Sequence, residues 1–560
     1  MLKRRYLFII ISGVLFSIPF FLPELNILSF FSCIPFFIIL FDEIKNSRKN
    51  KAIKYTVVFG MSFYLPVFLW FFWMYPMEQT GLTPLQSAFI VTAAWLGFPV
   101  LQTFVMIILP FGLKLFRNIY TRENDKNTKN DKNDKINIFF LPLLTAFLYV
   151  TTEWVQSWFM SGLTWAKLSV SQYKDLFFIQ STSLFGTYFS GFVIIFINAS
   201  IAIHISSKSY KTIPANKNNL LILAAVLLYF ANSYFGFFRV MYYDHTERAG
   251  ERQKITAQIV QGNISSYEKW EISGIDNSFR VYETLMEENC GENIDICVFP
   301  ETAIPAIIIA NTNGISRLYN MIHDLAKKHD VTLFTGAIFC DYGDYNDFET
   351  AKRYNAIMAF DKDHDFIKPY GKRHLVPFGE YLPLENVITK VFPFVSNMTL
   401  FDTVLTVGED AGIMDINGVN YGGLVCFDSI FPELARNSVK SGADILIIAT
   451  NDSWFRDSPA IYHHNAQAAL RAVENNRYVI RSANTGVSSF ISNTGKIIQQ
   501  SNVLEREVLT QDVEIVKNKT VYTVCGDVIL YLSWVYILFC VVWLVKIKIK
   551  INRPETITET

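Results

Sequence analysis

The chain has no Cys-x-x-Cys pair. Its seven cysteines, Cys33, Cys290, Cys297, Cys340, Cys426, Cys525 and Cys540, are scattered along 560 residues. No Cys/His cluster has zinc-ligand spacing, so no metal is expected. His463-His464 comes nearest, but adjacent residues do not share a helix face, and the pair reads as a loop or helix start. A charge excess is also missing: Lys+Arg and Asp+Glu number 50 each. That balance gives no basis for a nucleic-acid partner. No internal repeat stands out. The first apolar run follows Lys3-Arg4-Arg5 but lacks a small-residue cleavage site, which favours an anchor over a signal peptide.

Apolar residues are what the chain has in abundance, 51% hydrophobic and 15% aromatic. Runs able to cross a bilayer fall near 6–22, 27–41, 55–74, 86–113, 138–158, 184–206, 219–237 and 522–545, since about 20 apolar residues cross a hydrocarbon core. Lys and Arg mark alternate loops. They cluster at Lys3–Arg5, at Lys45–Lys54, in the Asn-, Asp- and Lys-rich 114–136 loop, at Lys208–Lys217 and after Lys546. Segments 23–26 and 75–85 carry none. By the positive-inside rule both termini face the cytoplasm and the long polar segment faces outward. The expected organisation is a transmembrane domain of seven helices over 1–240, a polar domain over 245–515, a final transmembrane helix over 520–546 and a cytoplasmic tail over 547–560.

Within 245–515, strand-like runs at 255–260, 294–299, 332–336, 355–360 and 445–450 alternate with helical patterns at 277–289, 315–329, 432–440 and 462–476. Such alternation predicts an α/β layered domain with helices outside. The apolar stretch 387–401 is broken by Pro393. It reads either as a buried connection or as a lid on the bilayer surface where a lipid tail enters. Arg471, Glu474 and Arg477 read as a solvated face. Glu153, near the outer end of the fifth span, is either functional or snorkelling to the interface.

Three polar residues in this domain suggest chemistry. Glu301 in Val298-Phe299-Pro300-Glu301, Lys372 in Gly371-Lys372-Arg373-His374, and Cys426 in Gly423-Leu424-Val425-Cys426-Phe427-Asp428 each follow a strand pattern. Sites in α/β folds open at strand carboxyl ends. A thiol attacks a carbonyl as thiolate, so it needs a base and a nearby cation. Lys372 and the Phe427 backbone N–H are then available to the tetrahedral oxyanion. The other cysteines read as packing residues, Cys297 in a strand and Cys33 and Cys540 in helices. Cys290 and Cys340 are a possible pair that spacing leaves open.

The blocks Gln261-Gly262-Asn263-Ile264 with Lys269-Trp270, Phe299-Pro300-Glu301-Thr302-Ala303-Ile304-Pro305, Lys372-Arg373-His374-Leu375-Val376-Pro377-Phe378-Gly379-Glu380-Tyr381, Cys426 and Asn451-Asp452-Ser453-Trp454-Phe455 resemble the apolipoprotein N-acyltransferase family. The resemblance covers essentially the whole chain. It implies eight transmembrane helices joined to an α/β nitrilase-like domain (an α-β-β-α sandwich), extracytoplasmic and periplasmic, in a bacterial cytoplasmic (inner) membrane. It further implies Glu301 as general base, Lys372 as oxyanion cation, Cys426 as nucleophile and Glu380 as a supporting glutamate. Trp270 matches a pocket-lining aromatic, and Phe427 falls where the family often has Tyr. Asp428 departs from the family's usual Glu, which puts its support role in doubt. Asn355 reads equally as orienting the site or as a strand-edge residue, while Asn451, Asp452 and Trp454 read as loop support.

The implied reaction passes an acyl chain from a membrane phospholipid, through a Cys426 thioester, to the N-terminal amine of a diacylglyceryl-cysteine apolipoprotein. It needs no cofactor and no partner beyond these two substrates and the bilayer, and the protein is expected to be a monomer. Two other readings stand beside it. One is a membrane-tethered amidase using water, for which a single anchor would suffice. The other is a transporter or receptor with an outward binding domain, but the spans lack paired broken helices.

Overall fold

The computed structural model describes residues 2–552 apart from 47–50, 78–79, 121–138, 159–161, 163–164, 211–214, 251, 272, 290, 292, 312–313, 316, 342–350, 362–366 and 393–404. Most of the basic 114–136 loop, the second half of the 387–401 stretch and Cys290, with its pairing to Cys340, lie outside these residues.

Among the described residues, seven segments are long and apolar enough to cross a membrane: Lys3–Phe21, Pro23–Lys45, Ala52–Met74, Pro84–Leu115, Tyr188–Ser206, Asn219–Arg248 and Val528–Ile547. The remaining expected span is the helix Phe140–Trp158, 19 residues long. Its second half, Thr151-Thr152-Glu153-Trp154-Val155-Gln156-Ser157, is too polar to qualify by composition alone. Glu153 does not snorkel. It is 3% exposed, and its Oε1 accepts the Leu168 N–H at 3.0 Å. The helix Ala215–Arg248 runs 34 residues, roughly 50 Å at 1.5 Å per residue, well beyond the bilayer core. Its Arg239 Nη2 therefore reaches the polar domain, donating to Asn476 Oδ1 at 2.8 Å.

The polar domain is built on two sheets. The first contains β1 (Lys254–Gln261), β2 (Ile296–Val298), β3 (Ile307–Asn311), β4 (Gly314–Ile315), β5 (Thr332–Asp341), β6 (Lys352–Phe360), β7 (Tyr370–Gly371) and β14 (Glu507–Glu514). Its order is β14-β1-β2-β5-β3-β4, with β6 beside β5 and β7 beside β6. The second contains β8 (Ile413–Ile416), β9 (Val419–Val425), β10 (Ile445–Thr450), β11 (Tyr478–Ala483), β12 (Ser489–Ile491) and β13 (Ile497–Gln500), in the order β13-β12-β11-β10-β9-β8. β10 runs parallel to both neighbours, with Ile447 opposite Gly423 and Ile480. A parallel strand covered on both faces is apolar throughout, as Ile445-Leu446-Ile447-Ile448-Ala449 is.

The two faces of β10 serve different cores. Ile445, Ile447 and Ala449 pack between the sheets with Ile259, Val298, Phe334 and Tyr421. Leu446 and Ile448 point the other way, towards Leu434, Val439, Leu470 and Val473 of the helices Pro432–Lys440 and Pro459–Asn475. That outer core continues without a break into the membrane helices, through Phe16, Phe63, Trp165 and Phe178. On the far side, the helices Gly274–Asn289 and Arg317–His329 cover the first sheet through Tyr282, Met286, Tyr319 and Ile322. The result is an α-β-β-α sandwich seated by one helical layer on the spans.

Candidate active site

Glu301, Lys372 and Cys426 each stand where a strand ends or breaks. β2 and β3 lie along the same side of the longer β5, β2 against Thr332–Phe334 and β3 against Ile338–Cys340. Phe299-Pro300-Glu301 occupies the break between them, close against β5. A Cβ on Gly336 would stand 2.6 Å from Glu301 Cα and 2.4 Å from Thr302 N, so only glycine admits this approach. Lys372 leaves β7 beside β6, its N–H donating to Asn355 O at 2.8 Å. Cys426 follows β9, and Asn451 follows the parallel β10.

These elements bring four side chains into one buried cluster. Lys372 Nζ lies 3.3 Å from Glu301 Oε1 and 2.9 Å from Glu380 Oε2. Asn355 Nδ2 donates to Glu301 Oε1 at 2.8 Å and to Glu380 Oε1 at 2.7 Å. Two backbone N–H groups complete the carboxylates, Asn451 to Glu301 Oε2 and Val376 to Glu380 Oε2, both at 2.8 Å. Asn355 is thus a bridge between two carboxylates and not a strand-edge residue. Burial works to discharge Lys372, but Glu301 and Glu380 outweigh it and hold the ammonium well above its usual range.

Cys426 is half-buried, with φ +47°. A non-glycine residue in this left-handed region costs about 1–2 kcal/mol, a strain often found at functional turns. Burial and the Glu301 charge push the thiol above its ordinary range, while Lys372 pulls it down. The balance leaves a resting thiol. Two carboxylates, Glu301 and Asp452, bear on the thiol, and both oppose its ionisation.

With this geometry in view, the likeness to known proteins is specific. A carbon-nitrogen hydrolase family model matches residues 256–519, and the apolipoprotein N-acyltransferase N-terminal domain model matches residues 12–200. The chain is 28% identical to the apolipoprotein N-acyltransferase of Geobacter metallireducens over 529 residues, 94% of this chain and 92% of the relative. It is 26% identical to that of Rickettsia prowazekii over 547 residues, 94% and 95% of the two chains. The chain belongs to the apolipoprotein N-acyltransferase family. Among solved structures, Saccharomyces cerevisiae Nit3, of the nitrilase superfamily, is similar over 47% of this chain and 90% of its own, at 22% identity and a TM-score of 0.36.

As a family member it is an acyltransferase with a nitrilase-type domain, and the remaining residues can be placed on that footing. Asp428 is fully buried, and its carboxylate accepts Tyr370 OH at 2.8 Å, His374 N at 2.7 Å and Val425 N at 3.2 Å. It ties the Lys372 loop to the Cys426 turn, so the shorter carboxylate keeps a full set of partners. Burial raises it to about 6 against these donors and Lys372. Phe427 is buried, its ring edge-on to Phe431 at 5.1 Å. Trp270 is 41% exposed, directly after Lys269.

Lys269 itself is a site residue that sequence reading passed over. It is 1% exposed, and its Nζ donates to the Glu301 carbonyl at 3.0 Å. Burial lowers it to about 7, with Glu301 opposing. The charged face expected at Arg471, Glu474 and Arg477 is not solvated, since all three are at most 1% exposed. Arg471 Nε pairs with Glu474 Oε2 at 2.7 Å, and Arg477 Nε donates to Ala443 O at 2.7 Å. Arg471 and Glu474 lie on the helix Pro459–Asn475, the layer between sheet and spans, and Arg477 follows its end. Asp452, expected as loop support, lies under the Cys426 turn with His464, at 2.9 Å from His464 Nδ1. Among the described residues no group of His, Cys, Asp and Glu could hold a metal.

Proposed function

We propose that the enzyme carries an acyl chain from a membrane phospholipid to the α-amine of a diacylglyceryl-cysteine apolipoprotein through a thioester on Cys426. In the first step Glu301 takes the thiol proton while Sγ attacks an ester carbonyl. Lys372 and the Phe427 N–H donate to the oxyanion. The ester C–O bond breaks, and Glu301 returns the proton to the leaving alkoxide, giving a lysophospholipid. In the second step the amine attacks the thioester, its proton passes through Glu301 to the departing sulfur, and an amide is released. Glu380, bridged by Asn355 and Val376, holds Lys372 in place throughout.

The observation that carries this reading is the Glu301–Lys372–Glu380 cluster, whose Glu301 and Lys372 charges bear on Cys426, in a domain whose outer core is continuous with the membrane helices. A water-using amidase has no need of that continuity. Eight spans, including Phe140–Trp158, with both termini cytoplasmic and the catalytic domain periplasmic, agree with the distribution of Lys and Arg. Vesicles containing the enzyme, a phospholipid with a labelled acyl chain and a synthetic diacylglyceryl-cysteine peptide test the reaction. Labelled amide and lysophospholipid should form in equal amounts. Free fatty acid in place of the amide would make the protein a hydrolase.

A further inference from the structure

Beneath Cys426 lies a buried polar network that the reaction above does not use. His464 Nε2 stands 3.1 Å from the Cys426 carbonyl oxygen and 2.8 Å from Ser429 Oγ, and Ser429 Oγ donates to the same carbonyl at 2.8 Å. On the other side of the ring, Nδ1 lies 2.9 Å from Asp452 Oδ1. Asp452 also accepts Arg481 Nη2 at 2.7 Å and Thr450 Oγ1 at 3.1 Å. His464, Asp452, Arg481, Thr450 and Ser429 are all at most 1% exposed. Asp452 therefore reaches the Cys426 carbonyl through His464.

The donor count says what His464 does. A carboxylate accepts only, so Nδ1 carries a proton towards Asp452. The Cys426 carbonyl also accepts only, so Nε2 meets it favourably only when it too carries a proton. Ser429 then donates to the second lone pair of that oxygen. With that proton in place two donors meet one carbonyl and hold the peptide plane of the Cys426 turn, where φ is +47°; with Nε2 bare, Ser429 donates to it and links the ring to the same turn. Packing alone asks for none of this, since an apolar ring against Trp165, 5.6 Å away, would fill the same space.

We propose that His464 is a positioning residue: its ring, anchored on Asp452, grips the Cys426 carbonyl and keeps the sulfur presented to Glu301 and Lys372. This rests on Cys426 as the nucleophile. His463, on the same helix, instead places Nε2 2.6 Å from Phe20 O in the first span. The adjacent pair therefore divides two tasks, docking the helix on the membrane domain and holding the nucleophile turn.

The test uses the full-length protein in detergent, following Cys426 alkylation by iodoacetamide and Cys426 acylation in mixed micelles of a bacterial phospholipid extract. His464→Phe keeps a ring against Trp165 and is expected to slow both rates at least roughly tenfold, about 1.4 kcal/mol of barrier. His464→Gln restores an N–H donor and should recover part of the loss. His463→Gln should lower the unfolding temperature and leave alkylation unchanged. Wild-type rates in folded His464→Phe overturn the proposal, as does equal slowing in His463→Gln. If His464→Phe does not fold, Ser429→Ala carries the test: it removes the second donor, and a roughly three- to tenfold slowing is expected, while the wild-type rate overturns it. Absence of any acyl mass on wild-type Cys426 overturns the nucleophile assignment instead, and the alkylation ratios still judge the His464 contact.

Discussion

Tyr370 donates its hydroxyl to Asp428 across the two sheets, at 2.8 Å. The close approach depends on Gly423, where a Cβ would stand 2.7 Å from the Tyr370 ring. Tyr370 immediately precedes Gly371 and Lys372, and Asp428 lies two residues after Cys426. The bond therefore couples the position of the Lys372 ammonium to that of the Cys426 thiol.

Asp428→Glu, which restores the family's usual residue, is expected to destabilise this protein. The site is fully buried and its oxygens already meet Tyr370, His374 and Val425. An added methylene in such packing costs about 1–3 kcal/mol. Thermal unfolding in detergent measures it. An unfolding temperature at or above wild type would show that the site has room for the longer side chain.

Glu301→Gln keeps the size of the side chain and removes the proposed base. Acyl-enzyme formation should fall by about 10²–10⁴, with little change in the phospholipid KM. Single-turnover kinetics separates the two constants. A rise in KM with kcat intact would assign Glu301 to binding and not to proton transfer.

Lys269 gives stability a pH dependence of known sign. Burial lowers its folded pKa to about 7 from an ordinary 10.5, so between these values the unfolded chain binds the extra proton. Stability rises with pH wherever the unfolded state binds more protons. The Lys269 contribution therefore improves from pH 7 upward and is least favourable below pH 7. Unfolding temperatures of wild type and Lys269→Met across pH 6–10 check this, and the rising component should vanish in the variant.

Arg471→Met leaves Glu474 buried without its partner, and Arg471 also donates to Ile430 O at 3.2 Å. Breaking such a pair costs about 3–5 kcal/mol. Denaturant unfolding of the double variant Arg471→Met/Glu474→Leu should recover most of the loss. Equal loss in both variants would mean that the Arg471 backbone contacts matter more than the pair.

The parts of this fold that sequence reading recovered are those where one face meets one environment. Apolar spans and the apolar run Ile445-Leu446-Ile447-Ile448-Ala449 of β10 announce themselves, as do Glu301, Lys372 and Cys426, which interrupt apolar strand ends. What escaped is where a charge is buried by partners distant in sequence. Arg481 breaks the pattern of β11 because it reaches Asp452, so 478–483 does not read as a strand. Arg471 and Glu474 look like a surface because nothing local shows that a membrane helix layer lies over them. Lys269 was visible as part of a motif, but its contact to Glu301 spans 32 residues of sequence separation. The second sheet's later strands, β12 and β13, are short and rich in Ser and Gln, with too little alternation to register.

The central claim is that Cys426 carries the acyl chain. Mass spectrometry of the protein purified from membranes, digested without base treatment, tests it most directly. The account predicts a fatty-acyl mass on the peptide containing Cys426, removed by hydroxylamine and discharged by a diacylglyceryl-cysteine peptide. An acyl adduct that persists in Cys426→Ala, or one found on another residue of the wild type, would contradict it.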